Sequence, residues 1–258
     1  MKIVCLMGTH GRYSLVCESL ACFLAQSVGD EALLIIYNQH PRPLRFDHPR
    51  VQIVNDARPQ PSLRAIRHAM HGLVPQSAEY IAWWDDDDLY LPWHLEMALH
   101  NIGDGVAWKP KRNWVSHANL YYAINQNTFE GSWVFRTDYV QKSSLETHTA
   151  YADHPIVRQT LDAGFLRTTD LAGRTSHLYR WNIGATHHSA TTGTVGQNDQ
   201  AAVVEAWRAR NQDLVPDGVL VPRDMAGRLA QFMKAAEPLV SADDMAFIRS
   251  HLAAPTAS

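Results

Sequence analysis

The chain opens on a short apolar run, residues 2–7, that stops at the polar turn Thr9-His10-Gly11-Arg12. A run of that length against a glycine-bearing turn predicts a strand buried on both faces. Over residues 14–27 the period changes. Leu15, Leu20, Phe23 and Leu24 share one broad face and Gly29 follows as a stop, which predicts a helix. Ala32-Leu33-Leu34-Ile35-Ile36-Tyr37 is a second buried strand, ending in the polar loop Asn38-Gln39-His40-Pro41-Arg42-Pro43. Val51–Val54 is a third strand and leads into Asn55-Asp56. Ser62 caps a helix that carries Leu63, Ile66, Met70 and Leu73 at helical spacing. Tyr80–Trp84 is a fourth strand, and Asp85-Asp86-Asp87-Asp88 stands at its carboxyl end. Pro92 opens the next helix, with Leu95, Leu99 and Ile102 on one face.

Fully apolar strands alternating with helices predict an α/β fold whose mostly parallel sheet is covered on both faces. Such sheets bind ligands outside the carboxyl ends of their strands. The loops 8–12, 38–43 and 85–88 meet at that edge. The middle of the chain reads differently, with short aromatic strands at 119–124 and 132–136. Asp153-His154-Pro155 opens a helix running to about Ala163, with Gly164 as its stop. Residues 198–253 read as two or three helices, with Asp224 and Ser241 as caps and Ser241 with Asp244 as a capping box. The divisions are 1–105 and 106–195, two halves of one domain, and 196–258, a helical extension.

The chain has 258 residues and a formal net charge of -3, so it is not coated in basic charge for nucleic acid. No apolar run approaches the ~18 residues of a membrane span. The three cysteines, Cys5, Cys17 and Cys22, form an odd set within the first strand and helix. They read as buried thiols in a reducing compartment, and the expected location is cytoplasmic. Fourteen histidines invite a metal reading, but neither an HExxH pattern nor a Cys/His zinc spacing occurs.

Four consecutive aspartates repel one another unless solvated or neutralised by a cation. Carboxylates suit Mn²⁺ or Mg²⁺, and such an ion would in turn hold a diphosphate. A solvated acidic turn at a helix N-terminus is the competing reading. The position at a strand's carboxyl end, behind Trp83-Trp84 and ahead of Pro92, favours the metal-nucleotide site.

The segment from Tyr80 to Glu96 resembles the family 2 glycosyltransferases of the GT-A fold. Their signature is an apolar strand, Asp-x-Asp-Asp, a short apolar stretch, Pro and a helix. Thr9-His10-Gly11-Arg12, the later Gln26-Ser27 and the helix from Ser62 to Met70 resemble further motifs of that family. The likeness covers residues 2–100 well and 130–190 more weakly.

The resemblance implies a GT-A three-layer sandwich and transfer of a sugar from a nucleotide-diphosphate donor to a hydroxyl acceptor. Residues 1–105 would bind the nucleotide sugar and residues 106–195 the acceptor. Asp85 and Asp86 would lie by the nucleotide sugar, with Asp87 as the best metal ligand and Asp88 at the metal through water or orienting its neighbours. Thr9, His10, Arg12 and Arg64 would join the donor contacts. Where the family ends its second strand in a base-reading Asp, this chain has Tyr37-Asn38-Gln39, which leaves the base to Asn38, Gln39 or Asp56. Asp153 matches the family's general base, implying inversion, although an Asp two residues before a helix Pro is also a common cap. His187 and His188 stand where such enzymes take a later metal or phosphate contact. Arg180 is either a phosphate contact or half of a surface salt bridge.

The basic and aromatic stretch holding Trp108, Lys109, Arg112 and Trp114 reads as an acceptor-side loop or as a hairpin with solvated lysines. A saccharide or small molecule is the favoured acceptor. Hydroxylated DNA bases are a further option, which the net charge disfavours. A nucleotidyltransferase and a nonenzymatic sugar-binding protein are the other readings, and a homodimer is left open.

Overall fold

The structure, a computed structural model, describes residues 1–58, 63–117, 120–126, 130–142, 154–169, 174–181 and 217–252. Its strands are β1 (Ile3–Thr9), β2 (Ala32–Asn38), β3 (Val51–Asn55), β4 (Tyr80–Trp83), β5 (Leu89–Tyr90), β6 (Ala107–Pro110), β7 (Arg112–His117), β8 (Leu120–Gln126), β9 (Val134–Arg136), β10 (Leu166–Thr169) and β11 (His177–Trp181). Its helices are α1 (Tyr13–Leu24), α2 (Leu63–His71), α3 (His94–Asn101), α4 (Thr137–Lys142), α5 (His154–Ala163), α6 (Ala226–Ala236) and α7 (Ala242–Leu252).

The predicted buried strands form the middle of a seven-stranded sheet of order β10-β6-β9-β4-β1-β2-β3. All run the same way except β9, which is antiparallel to both β4 and β6. Successive side chains go to opposite faces. Ile3, Cys5 and Met7 of β1 enter one core layer with α1, α3, α6 and α7, whereas Val4 and Leu6 enter the other with α2, α4 and α5. Both layers are apolar, so neither face of the sheet needs polar alternation, and β1 and β2 appear in sequence as unbroken runs.

A second sheet, β5-β11-β7-β8, stands at the carboxyl end of β4. Antiparallel pairing of β5 with β11 carries the chain back across the acidic turn. The two C-terminal helices close the core behind this sheet, where Phe232 meets Trp114 edge-on at 5.1 Å and Phe247 meets Trp93 at 5.2 Å. Ser241 and Asp244 form the expected capping box, and Gly164 ends α5 at φ 71°. All three cysteines are buried thiols. No helix among the described residues is long and apolar enough to cross a membrane.

Trp108 and Trp114 correct one expectation. The stretch read as an acceptor-side loop or a hairpin is β6 and β7, strands covered on both faces, and both indoles are fully buried. Trp108 Nε1 donates to Thr169 Oγ1 at 2.9 Å. Neither ring offers a face to an acceptor. Lys109 lies over the Trp133 ring at 5.3 Å, with its pKa lowered by burial, and Arg112 is exposed.

Candidate functional site

The carboxyl ends of β1, β2 and β4 sit side by side because the three strands pair in register, Thr9 with Asn38 and Leu6 with Trp83. The chain beyond each end therefore meets its neighbours, and the acidic turn lands beside Thr9 and Arg12. Of its four aspartates, Asp85 is half-buried and Asp86, Asp87 and Asp88 are buried.

Buried carboxylates need partners, and these have them. Asp86 accepts from Thr9 Oγ1 at 2.6 Å and is held on both oxygens by the Arg12 guanidinium, Nε at 3.1 Å and Nη2 closer still. Arg12 Nη1 also donates to Asp87 Oδ2 at 2.6 Å. Asp88 accepts from the Arg180 backbone N–H at 3.0 Å and pairs with His177 Nε2 at 3.0 Å. Asp85 is oriented through its backbone: its N–H donates to Tyr90 Oη at 2.8 Å and its carbonyl accepts from Ser19 Oγ at 2.9 Å. Tyr90 Oη in turn donates to the Gly131 carbonyl at 2.9 Å. Gly131 is needed there, since a Cβ would lie 2.2 Å from Asp85 Oδ2.

Burial pushes the Asp86 carboxyl up to about 6; Arg12 opposes that rise and the neighbouring charge of Asp87 adds to it. Burial alone would lower the pKa of Arg12, but Asp86 and Asp87 outweigh it and hold the guanidinium well above its usual value. Arg12 thus stays charged and neutralises much of the turn.

Asp86 and Asp88 accept on both oxygens within the protein, and Arg12 braces Asp87; Asp85 and Asp87 are the other two carboxylates of the turn. They are two residues apart, and among the described residues no group of three or more His, Cys, Asp or Glu converges on one point. Mg²⁺ needs no such cage, because it is commonly held by one or two carboxylates plus substrate phosphates. The donor set fits that mode of binding.

Beside the turn lies a small open cleft lined by Thr9, Arg12, Tyr13, Asn38, His40 and Gly218 among others. Asn38 is spent on the loop. Its amide donates to the Arg42 carbonyl at 3.0 Å and to Asn55 Oδ1 at 2.9 Å, while its oxygen accepts from the His40 N–H at 3.1 Å. Gln39 Nε2 donates to the Asp56 carbonyl at 2.9 Å, and Gln39 Oε1, buried, has no hydrogen-bond partner among the described residues. Asp56 is held by Arg58 at 2.7 Å and by the Tyr37 hydroxyl at 2.7 Å, and these bonds, Arg58 first, keep its carboxyl below the usual range. His10 and His40 meet edge-on at 5.0 Å. Arg64 belongs to α2, on the helix that covers the other face of β1.

Asp153, His187 and His188 lie outside the described residues. Among the described residues the histidine that touches the acidic turn is His177, the first residue of β11, which sequence reasoning missed because Ser176-His177-Leu178-Tyr179-Arg180 carries no apolar period. Arg180 is neither exposed nor a surface pair. It is buried, with Nε on the Asp87 carbonyl and Nη1 on Glu18 of α1.

No family model matches the chain, and no curated protein matches it by sequence. Solved structures share its fold. TarS of S. aureus, residues 1–349, bound to UDP-GlcNAc, matches over 91% of this chain and 71% of its own, with TM-score 0.58 at 13% identity. The same protein with UDP matches over 98% and 87%, with TM-score 0.54 at 11% identity. The mannosyltransferase PcManGT of Pyrobaculum calidifontis, with GDP-Man and Mn²⁺, matches over 98% and 79%, with TM-score 0.50 at 11% identity. The chain therefore has the GT-A fold on which structures with bound nucleotide sugars are built.

Proposed function

We propose that this protein transfers a glycosyl group from a nucleoside-diphosphate sugar to a hydroxyl acceptor. The observation that carries the reading is the Arg12-braced acidic turn set against a cleft at the ends of β1 and β2. The fold-sharing structures holding UDP-GlcNAc, UDP and GDP-Man with Mn²⁺ support it.

Asp85 and Asp87 would hold Mn²⁺ or Mg²⁺ together with the donor's diphosphate. The metal would supply charge stabilisation for the departing nucleoside diphosphate. Arg12 keeps Asp86 and Asp87 in place and brings permanent positive charge to the same edge. The Asn38 amide is committed to its own loop and Asp56 to Arg58 and Tyr37, so reading the base would require Asn38, Gln39 or Asp56 to exchange one of these contacts for the donor. Asp153 would take the acceptor proton, which makes the transfer inverting, and His187 or His188 would supply a later contact to metal or phosphate. A saccharide or small molecule is the acceptor.

The test is nucleotide release from a panel of nucleotide sugars with Mn²⁺, comparing wild type with Asp87→Ala. Loss of turnover with folding retained supports the reading. An Asp87→Ala protein that binds nucleotide and turns over like wild type contradicts it.

A further inference from the structure

Glu18 is a buried carboxylate on α1 whose charge the donor-site chemistry does not use, and three arginines share it. Arg180 Nη1 meets Oε2; Arg223 Nη1 lies 3.2 Å and Arg228 Nη2 3.4 Å from Oε1. Burial pushes the carboxyl up, but Arg180, then Arg228 and Arg223, overcome that and hold its pKa below the usual value, so it is charged near neutral pH. The arginines come from distant parts of the chain. Arg180 reaches Asp87 of the acidic turn with its Nε, and its backbone N–H reaches Asp88. Arg223 belongs to the segment leading into α6, and Arg228 to α6 itself.

That segment, residues 217–223, meets the cleft at Gly218 and is fixed on both sides. Arg45 N–H donates to the Gly218 carbonyl at 2.9 Å and Leu220 N–H to the Arg45 carbonyl at 2.8 Å. On the other side, Arg223 N–H donates to the Cys17 carbonyl at 3.2 Å, and the Tyr13 hydroxyl donates to the Val219 carbonyl. Gly218 lines the cleft. Its φ is 68°, and a Cβ there would stand 2.0 Å from the Pro43 carbonyl oxygen, so only glycine lets the strap lie this close to the 38–44 loop.

From this geometry we infer that residues 217–223 are the outer wall of the donor cleft and that Glu18 is a positioning residue tying that wall to the acidic turn. Through Arg223 and Arg228 it holds the strap; through Arg180 it sets the backbone at Asp87. The inference rests on the donor-site reading above and gives the C-terminal segment a part in donor binding.

The experiment measures nucleotide Kd with Mn²⁺, donor KM and kcat, and Tm for wild type, Gly218→Ala, Arg223→Gln and Glu18→Gln. Arg249→Gln, which breaks an exposed pair with Glu237 on the C-terminal helices, serves as control. Gly218→Ala and Arg223→Gln should weaken nucleotide binding and raise donor KM by about tenfold with kcat nearly unchanged. Glu18→Gln should lower kcat as well, because Arg180 loses the charge that holds it on Asp87. Arg249→Gln should match wild type in all three kinetic readouts. If Glu18→Gln does not fold, Gly218→Ala and the largely solvent-facing Arg223→Gln decide. A drop in Tm with unchanged Kd and KM would overturn the inference and leave the strap a merely structural element. Wild type binding nucleotide while the strap variants bind equally well refutes this inference alone; wild type binding no nucleotide refutes the donor-site reading and this inference with it.

Discussion

Gly131→Ala separates the position of Asp85 from the stability of the fold. The added Cβ would lie 2.2 Å from Asp85 Oδ2 and 3.0 Å from its Cγ, whereas ordinary contact starts at 3.4 Å. The carboxylate must therefore move from 2.2 Å out to 3.4 Å, a retreat of about 1 Å. The clash is with the far end of a side chain rather than with backbone, so the cost should sit at the low end of overpacking, about 1 kcal/mol. That corresponds to a fall in Tm of about 2–4 °C for a chain of this size. Function should suffer far more. A carboxylate displaced by about 1 Å from a diphosphate-bound metal should lower kcat/KM by on the order of 10²-fold, about 2.7 kcal/mol of transition-state stabilisation. Scanning calorimetry gives the first number and nucleotide release from the donor sugar gives the second. Near-wild-type turnover in a folded Gly131→Ala protein would refute the role given to Asp85. Gross unfolding would refute the claim that the clash is cheap.

Three further outcomes follow from the same contacts. Tyr90→Phe removes the hydroxyl that accepts from the Asp85 N–H and donates to the Gly131 carbonyl, both at the acidic turn, and should cost about 1–3 kcal/mol in denaturant unfolding. Burial, then Arg67 and His68, lower the His71 pKa to about 4. The unfolded chain binds that proton more readily, so His71 contributes stability present above pH 6.5 and lost as pH falls towards 4, at most about 3 kcal/mol. His71→Phe, which keeps a ring against Trp83, should flatten urea midpoints over that window; an unchanged slope counts against the buried, neutral imidazole. Arg12→Gln leaves Asp86 and Asp87 buried without their cation and should destabilise the chain by about 3–5 kcal/mol near neutral pH. Because protonation relieves Asp86, that variant should recover stability as pH is lowered through the Asp86 titration, a trend absent if Asp86 carries no charge.

What the sequence disclosed follows from how local each signal is. β1, β2 and β4 were legible because strands buried on both faces need continuous apolar runs, and the aspartates were legible because a charge run behind such a strand is rare. β6 and β7 were not, since Lys109-Pro110-Lys111-Arg112 puts charge at the junction of two strands that are otherwise buried on both faces, Trp108 and Trp114 included. Two-residue β5 is too short to carry any period. The Glu18–Arg180 pair joins positions 162 residues apart, and no spacing rule reaches so far. Glu18 lies on the buried side of α1, but its position names no partner. His177 opens β11, whose sequence His177-Leu178-Tyr179-Arg180-Trp181 mixes polar and apolar residues, so nothing local marks it as the partner of Asp88.

The central claim is that the acidic turn and the adjoining cleft form a nucleotide-sugar site, and calorimetric titration of the wild-type chain tests it most directly. UDP, GDP, CDP and TDP are each titrated with and without Mn²⁺. The account predicts tight binding of one nucleotide that depends on the metal. Absence of binding by all four, with and without Mn²⁺, would contradict it and leave Asp85–Asp88 as an acidic turn braced by Arg12 for the sake of the fold.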